Sequence, residues 1–558
     1  MLVLPFLLPM HRYPVQSFYQ EWIAMALGSV AFLALGMASQ ERRIEAPRVV
    51  LLPLGVCLLL AVQTAGGKLP YWQQGALGAL YLLWAAAVAA LGYGLRRRLG
   101  WPAFAALFAW VLVAGALATG ALALAQLAGW GGKTWVMPLA TTRLYGNLGQ
   151  PNHFADYVSL GLISVVYLAT TGRLATPLAA AAALFFLTIL NFSGSRAVWI
   201  YLAAAVALSL YLHARKPAVR SRALLAWTSG LLLAALLIQG AISVAPVDSS
   251  RVAETVGARL AQDTGGVAVR LRYAQAALAM LREAPLLGTG FETFAWHHFL
   301  RSASLPPHAE AGVADHAHNV LFQLAAEFGF LGVALLVAAA WLWLAAQRRS
   351  SFDPERWWAC TLLTTLLAHS LLEYPLWYAY FLGVFALLLG AAEERAWRFS
   401  SPALDRIAFA GAAVLALWTL GSVLHDYRRL EVLARGHGGS ALEFERMRAE
   451  ALHLHGHSLF AHLVEFGLAR SIRLEPKAIA EKIAINGRAM RYLPTADMAF
   501  RHSALLALGG RLDDAFQAWD LATAAYPAQA PAVLHRLREI ARHEQPALHP
   551  LVEYAASR

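Results

Sequence analysis

The sequence predicts an all-α, multi-pass membrane protein, and three observations carry that prediction. Of its 558 residues, 59% are hydrophobic and only 14% charged, too apolar for a soluble chain of this length. The apolar residues fall in successive runs of membrane-helix length, broken by short polar segments. The net charge of +12 comes from basic residues clustered between those runs. That distribution is the positive-inside pattern of a membrane protein and excludes nucleic acid as the expected partner.

In chain order, the opening run MLVLPFLLPM is ten residues, about 15 Å of helix where a crossing takes about 30 Å. It reads as a partial helix, or as the end of a segment that starts upstream. No small-residue cleavage site follows it, so it does not read as a signal peptide. Spans are expected near 21–39, 49–65, 75–93, 102–128, 154–170, 177–192, 197–212, 223–245 and 318–346. The apolar block 357–392 would be about 54 Å of helix, too long for one crossing. Glu373, Tyr374 and Pro375 divide it, because proline disfavours helix in the residue before it. A tight hairpin there leaves two short spans, 357–372 and 376–392, and a last span covers 407–424. This makes about 12–13 transmembrane helices.

With a cytoplasmic N-terminus, the loops 40–48, 94–100, 171–176, 213–222, 346–356 and 393–406 hold 17 Lys and Arg. The opposite short loops 11–20, 66–74, 129–153, 193–196 and 373–375 hold 5. The bias puts the long loop 246–317 and the tail after 424 on the outer face, the periplasm of a bacterial cell. Two domains follow: a transmembrane domain over 1–424, which includes the loop 246–317, and an α-helical domain over 425–558. In the tail, Gly510, Ala515, Trp519, Ala522 and Pro527 have the spacing of half a tetratricopeptide repeat, which supports a helical hairpin.

Four polar segments gather on the expected outer face. YGNLGQPNH, Tyr145–His153, offers Asn147, Gln150, Asn152 and His153 as hydrogen-bonding groups for sugar hydroxyls or phosphate, or else as a turn that caps the next helix. NFSGSR, Asn191–Arg196, ends on one arginine that either contacts a ligand or snorkels. In the long loop, Arg270 and Arg272 precede an amphipathic helix over 273–282, and PLLGTGF closes it with Gly288 and Gly290. Finally DHAHN brings Asp315, His316, His318 and Asn319 to a helix entrance, with Gln323 and Glu327 stacked at four-residue steps from Asn319.

Arginine grips phosphate oxygens in a fork and stays charged. A neutral histidine takes a proton from a hydroxyl near pH 7. The set suits transfer of a group from a lipid diphosphate to an alcohol, with arginines offsetting charge on the leaving group and His318 as base. Cys57 and Cys360 lie inside apolar runs, which leaves no disulfide framework or thiolate metal cluster. His453, His455, His457 and His462 lack the Cys or acidic partners of a metal site. The pairs His297-His298 and Glu393-Glu394 read as solvated surface.

His318-Asn319 followed by Leu321, Leu324, Glu327 and Gly329, and preceded by PLLGTGF and Arg270, resembles the core signature of the O-antigen ligase and polymerase superfamily. LPFLLPMHRYPVQSFYQEW, GNLGQPNH, SGSR and HSLLEYPLWYAYFLG resemble more narrowly the bacterial protein O-oligosaccharyltransferases that glycosylate pilins. The resemblance implies an inner-membrane glycosyltransferase that moves a preassembled oligosaccharide from undecaprenyl diphosphate to Ser or Thr of an exported acceptor protein, without a metal or other cofactor. It implies His318 as the essential histidine and Arg196 and Arg270 as diphosphate contacts. Glu373 and Tyr374, in the EYPLWY hairpin, join the expected substrate contacts. Where the family carries Trp, four residues after Arg270, this chain has Ala274 beside Tyr273, so Arg272 stays open as the alternative to Arg270. The related chemistries are an O-antigen ligase acting on lipid A core and a repeat-unit polymerase. A transporter, the reading from another class, would show internal repeats around midplane charges, and the sequence shows none.

Overall fold

A computed structural model describes residues 1–38, 45–132, 135–244, 265–305, 312–348, 350–398, 402–435 and 441–558. Residues 245–264 and 306–311, which take in parts of the expected 246–317 loop, lie outside the described residues, as do the loop stretches 39–44 and 399–401. Among the described residues, nine helices are long and apolar enough to cross a membrane, and two shorter apolar ones, Thr176–Phe192 and Ala379–Ala392, accompany them.

The chain divides into two compact units. The first comprises Met1–Leu54, Tyr81–Asp263 and Val337–Gly421. Its helices include α1 (Leu4–Leu7), α2 (Phe18–Met37), α5 (Trp101–Leu127), α6 (Pro151–Thr170), α7 (Thr176–Phe192), α8 (Ala197–Arg215), α9 (Val219–Val244), α13 (Pro354–Ser370) and α14 (Ala379–Ala392). Helix α6 is its axis, since every residue from His153 to Leu168 is buried. A helix buried all round needs close neighbours rather than an apolar stripe. Ser164 meets that need by accepting the Trp358 indole N–H at 3.0 Å.

The opening run is a partial helix: α1 has four residues, and Phe6 stacks on Tyr157 at 3.8 Å inside the core. Loops that the charge count placed on one side touch one another. Glu45–Pro47 and Ala396–Arg398 pair as a two-stranded antiparallel ribbon, and Arg97 donates to Glu45 at 2.8 Å. Glu394, expected as solvated surface, instead pairs with Arg356, and Glu393 is buried, its carboxylate accepting the N–H groups of Glu394 and Arg395.

The second unit comprises Gly55–Leu80, Thr264–Leu336 and Ser422–Arg558. It contains α10 (Gly265–Glu283), α11 (Phe294–Leu300), the start of α12 (Val320–Gln347) and the tail helices from Ala441 to Ala556. The loop assigned by sequence to the transmembrane domain therefore clusters with the tail. Phe299 of α11 is buried with Met498, Trp519 and Leu551, in the tail's own core. The expected hairpin is present as Ala496–Leu508 and Leu512–Ala525, turned at Gly510 with φ +75°. Ala515, Trp519 and Ala522 face its core, as their spacing implied.

PLLGTGF packs against α12 well inside that helix. The Phe330 and Leu331 N–H groups donate to the carbonyls of Pro285 and Leu286, at 2.7 and 3.2 Å. Gly329 breaks the helix there with φ 64° and ψ −159°, which frees those two amides from the helical ladder.

Candidate active site

In the first unit three loop ends meet. Gln150 caps α6, its Oε1 accepting the His153 N–H at 2.6 Å. Asn147 is fully buried and its side chain is consumed by the fold. Its Nδ2 donates to the carbonyls of Leu7 (2.8 Å) and Trp135 (2.7 Å), and its Oδ1 accepts from Met137 at 3.0 Å. His153 is also turned inward, 3% exposed, with its ring edge-on to Tyr378 at 4.7 Å and to His369 at 5.6 Å.

Asn152 stays partly open and joins the three ends. Its Nδ2 donates to Glu373 at 3.1 Å, and its Oδ1 accepts from Arg143 at 3.0 Å. Arg143 in turn donates from Nε to the Ser193 carbonyl at 2.8 Å, in the turn that leads to Arg196. Arg196 stands at the N-cap of α8, and Glu373 and Tyr374 occupy the hairpin before Pro375, all three partly exposed. One helical turn below Asn152, Asp156 pairs with His369 at 2.7 Å, both fully buried. The His369 carbonyl accepts the Glu373 N–H at 2.8 Å, so α6 holds the hairpin at two levels. Sequence reasoning missed Arg143, Asp156 and His369. The four-residue step from Asn152 to Asp156 was the available signal.

In the second unit the histidine loop sits over a buried polar floor. His318 has φ 51°, the left-handed region that a non-glycine residue rarely adopts. Such strain persists where the surroundings impose it, and it gathers at functional sites. The His318 ring stacks on Tyr273 at 5.5 Å and 23°, so Tyr273 supplies the aromatic platform that Ala274 lacks. Arg270 lies three residues before Tyr273, one turn away on the same side of α10, and is exposed. Arg272 is 5% exposed and acts electrostatically on His298. Of the two arginines, Arg270 is the one open to a ligand.

Asn319 is the cap before α12, its Oδ1 accepting from Leu321 (2.9 Å) and Phe322 (3.2 Å), and not the first residue of a helical face. Gln323 and Glu327 are inside the helix and buried. Gln323 accepts the Ala317 N–H at 2.6 Å, which fixes the loop beside His318. His316 is 3.3 Å from Asp315. Burial opposes charge on His316, but that hydrogen bond and the nearby charges of Asp315, Glu327 and Glu292 outweigh it and raise its pKa. His298, expected on the surface, is buried between Tyr273 and Phe294, and burial lowers its pKa to about 4. Gln63 and Lys68, also unforeseen, hold PLLGTGF from the other side through the carbonyls of Leu287 (2.7 Å) and Gly288 (2.8 Å).

Among the tail histidines, His455 pairs with Glu465 at 3.2 Å and His462 packs edge-on to Tyr492 at 4.8 Å. Among the described residues, no group of three His, Cys, Asp or Glu is placed to hold a metal ion.

Residues 144–169 match a protein glycosylation ligase family, and residues 181–337 match an O-antigen ligase family. The chain resembles both kinds of ligase. Residues 357–538 of this ligase-like chain match the C-terminal part of a virulence-factor membrane-bound polymerase family. It is 27% identical over 431 residues to a general O-oligosaccharyltransferase of Acinetobacter baylyi, which covers 75% of this chain and 72% of that relative. The two ligase matches take in Asn152, Arg196, Arg270 and His318, and the polymerase match takes in the Glu373 hairpin and the tail as far as residue 538.

Proposed function

We propose that this chain is an O-linked oligosaccharyltransferase of the bacterial inner membrane. It transfers a preassembled glycan from undecaprenyl diphosphate to Ser or Thr hydroxyls of exported proteins such as pilin, at the periplasmic face. The observation that carries this reading is His318, held in a strained left-handed conformation on the Tyr273 ring, with exposed Arg270 one turn away.

In the reaction, the acceptor oxygen forms a bond to the anomeric carbon as the bond from that carbon to the diphosphate oxygen breaks. His318 takes the hydroxyl proton, and the diphosphate departs with the bonding electrons. Arg270 and Arg196 offset the charge that grows on it. Asn152, Gln150, Glu373 and Tyr374 present hydrogen-bonding groups for the glycan or the acceptor. A platform that fixes an imidazole's orientation favours proton transfer, because geometry precedes pKa in general-base catalysis.

The polymerase match over 357–538 favours a second reading, in which the acceptor is another glycan chain. Mass spectrometry of exported proteins and of lipopolysaccharide, from cells with and without the gene and supplied with lipid-linked glycan, separates the two. Glycan on Ser or Thr only when the gene is present is the expected result. Longer glycans on lipid with unmodified proteins would replace the reading with a polymerase.

A further inference from the structure

Helix α6 and the end of α13 are tied together by a ladder of two rungs. Asn152 and Asp156 lie one turn apart on α6, and His369 and Glu373 lie one four-residue step apart where α13 runs into the hairpin. The upper rung joins Asn152 Nδ2 to Glu373 Oε1 at 3.1 Å, and the lower joins His369 Nδ1 to Asp156 Oδ2 at 2.7 Å. The Glu373 N–H donates to the His369 carbonyl at 2.8 Å, which closes the two rungs into a ring. Glu373 is therefore held by its backbone and by its side chain. Tyr374 is held separately, stacked on Tyr378 at 6.0 Å and 19°.

The lower rung is poorly suited to packing alone. Asp156 and His369 are both fully buried, yet Asp156 Oδ1 and His369 Nε2 have no protein partner among the described residues. The hydroxyl of Tyr201, whose ring centre lies 6.4 Å from that of His369, has none either. Buried polar atoms left unpaired destabilise, and an apolar pair of the same shape would be nearly neutral or better. What an apolar pair lacks is direction. A hydrogen bond of this length and angle fixes the height of His369 against α6 and the rotation of its ring. Four residues later, that sets where Glu373 reaches the partly open rim.

We infer that Asp156 and His369 are positioning residues for glycan transfer, holding Glu373 where its carboxylate meets substrate. The inference rests on the proposed function and adds to it two buried residues that act only through Glu373. A group misplaced by about 1 Å can lower a rate by about a hundredfold, so the loss of a rung beneath the rim is felt in the reaction.

The test uses the full-length protein in phospholipid vesicles with lipid-linked glycan and an acceptor protein. Asp156→Leu with His369→Phe keeps the packing and removes the rung, and thermal unfolding checks that the protein is folded. Its kcat/KM should fall by about tenfold or more. His369→Asn, whose amide nitrogen takes the place of Nδ1, should stay within about threefold of the unsubstituted protein. His369→Gln moves that nitrogen to the Nε2 position and should show the full loss, which serves if the double replacement does not fold. Because the pair acts through Glu373, adding the double replacement or His369→Gln to Glu373→Ala should lower the rate by less than about threefold beyond Glu373→Ala alone. Full activity without the rung, equal loss in His369→Asn, full activity in Glu373→Ala, or losses that multiply would each overturn the assignment. Hydrogen exchange at the amides of residues 371–374 reads the ladder without turnover. It should quicken by about tenfold or more when the rung is removed and return in His369→Asn, and equal exchange in all these proteins would also overturn the assignment. Absence of transfer by the unsubstituted protein would remove the proposed function, and the exchange rates would still decide the ladder.

Discussion

Arg196 and Arg270 are assigned to diphosphate because a guanidinium offers a planar fork that an ammonium does not. Arg196→Lys and Arg270→Lys should each leave less than about a tenth of the transfer rate with normal protein abundance. Near-complete activity in both would show that point charge suffices. Asp156 and His369 make a different prediction. Removing one member of a buried hydrogen-bonded pair leaves the other unsatisfied, so Asp156→Ala should cost about 1–3 kcal/mol of stability. The paired apolar replacement Asp156→Leu with His369→Phe should cost far less, and thermal unfolding of the two purified proteins compares them. His316 supplies a pH dependence. Its raised pKa contributes stability that is fully present below about pH 6.5 and is lost as pH rises through the folded-state value. Asp315→Asn should flatten that loss in unfolding measurements from acid to mildly alkaline pH, and an unchanged profile would disprove the pairing. Arg196 and His318 stood out in the sequence because polar residues at the ends of apolar runs are conspicuous. The Asp156–His369 pair did not, since each member lies within or beside an apolar run and 213 residues separate them.

At the scale of elements, the hairpin before Pro375 was legible because proline punctuates the chain regardless of tertiary context. The break in α12 was hidden, since FGFLG continues an apolar run without any change of period. Helix α10 was underestimated for the converse reason: it starts at Gly265, eight residues before the apolar stripe that marked it. The break and PLLGTGF depend on one another. Gly329 has φ 64° and Gly288 has φ 68°, and a Cβ at either would collide with backbone of the other segment. Gly329→Ala should therefore cost at least about 1–3 kcal/mol through backbone strain alone. It should also reduce the amount of folded protein in the membrane. Wild-type abundance and thermal stability in that variant would mean that the turn is free to relax.

Over the whole molecule, some loops that charge counting placed on the same side are in contact. The ribbon of Glu45–Pro47 with Ala396–Arg398 joins two members of one group, and Asn152 with Glu373 joins two of the other. What the sequence could not reveal is that the histidine loop belongs with the tail. That association rests on FAWHHFL, too short a segment to show a period, whose Phe299 enters the tail's core. The account as a whole depends on His318 as the base that frees the acceptor hydroxyl. The most direct measurement is transfer by purified His318→Ala protein in vesicles with lipid-linked glycan and an acceptor protein, alongside binding of the donor alone. Transfer should fall by about a hundredfold or more while donor binding stays within a few fold. Transfer at the unsubstituted rate would contradict the account.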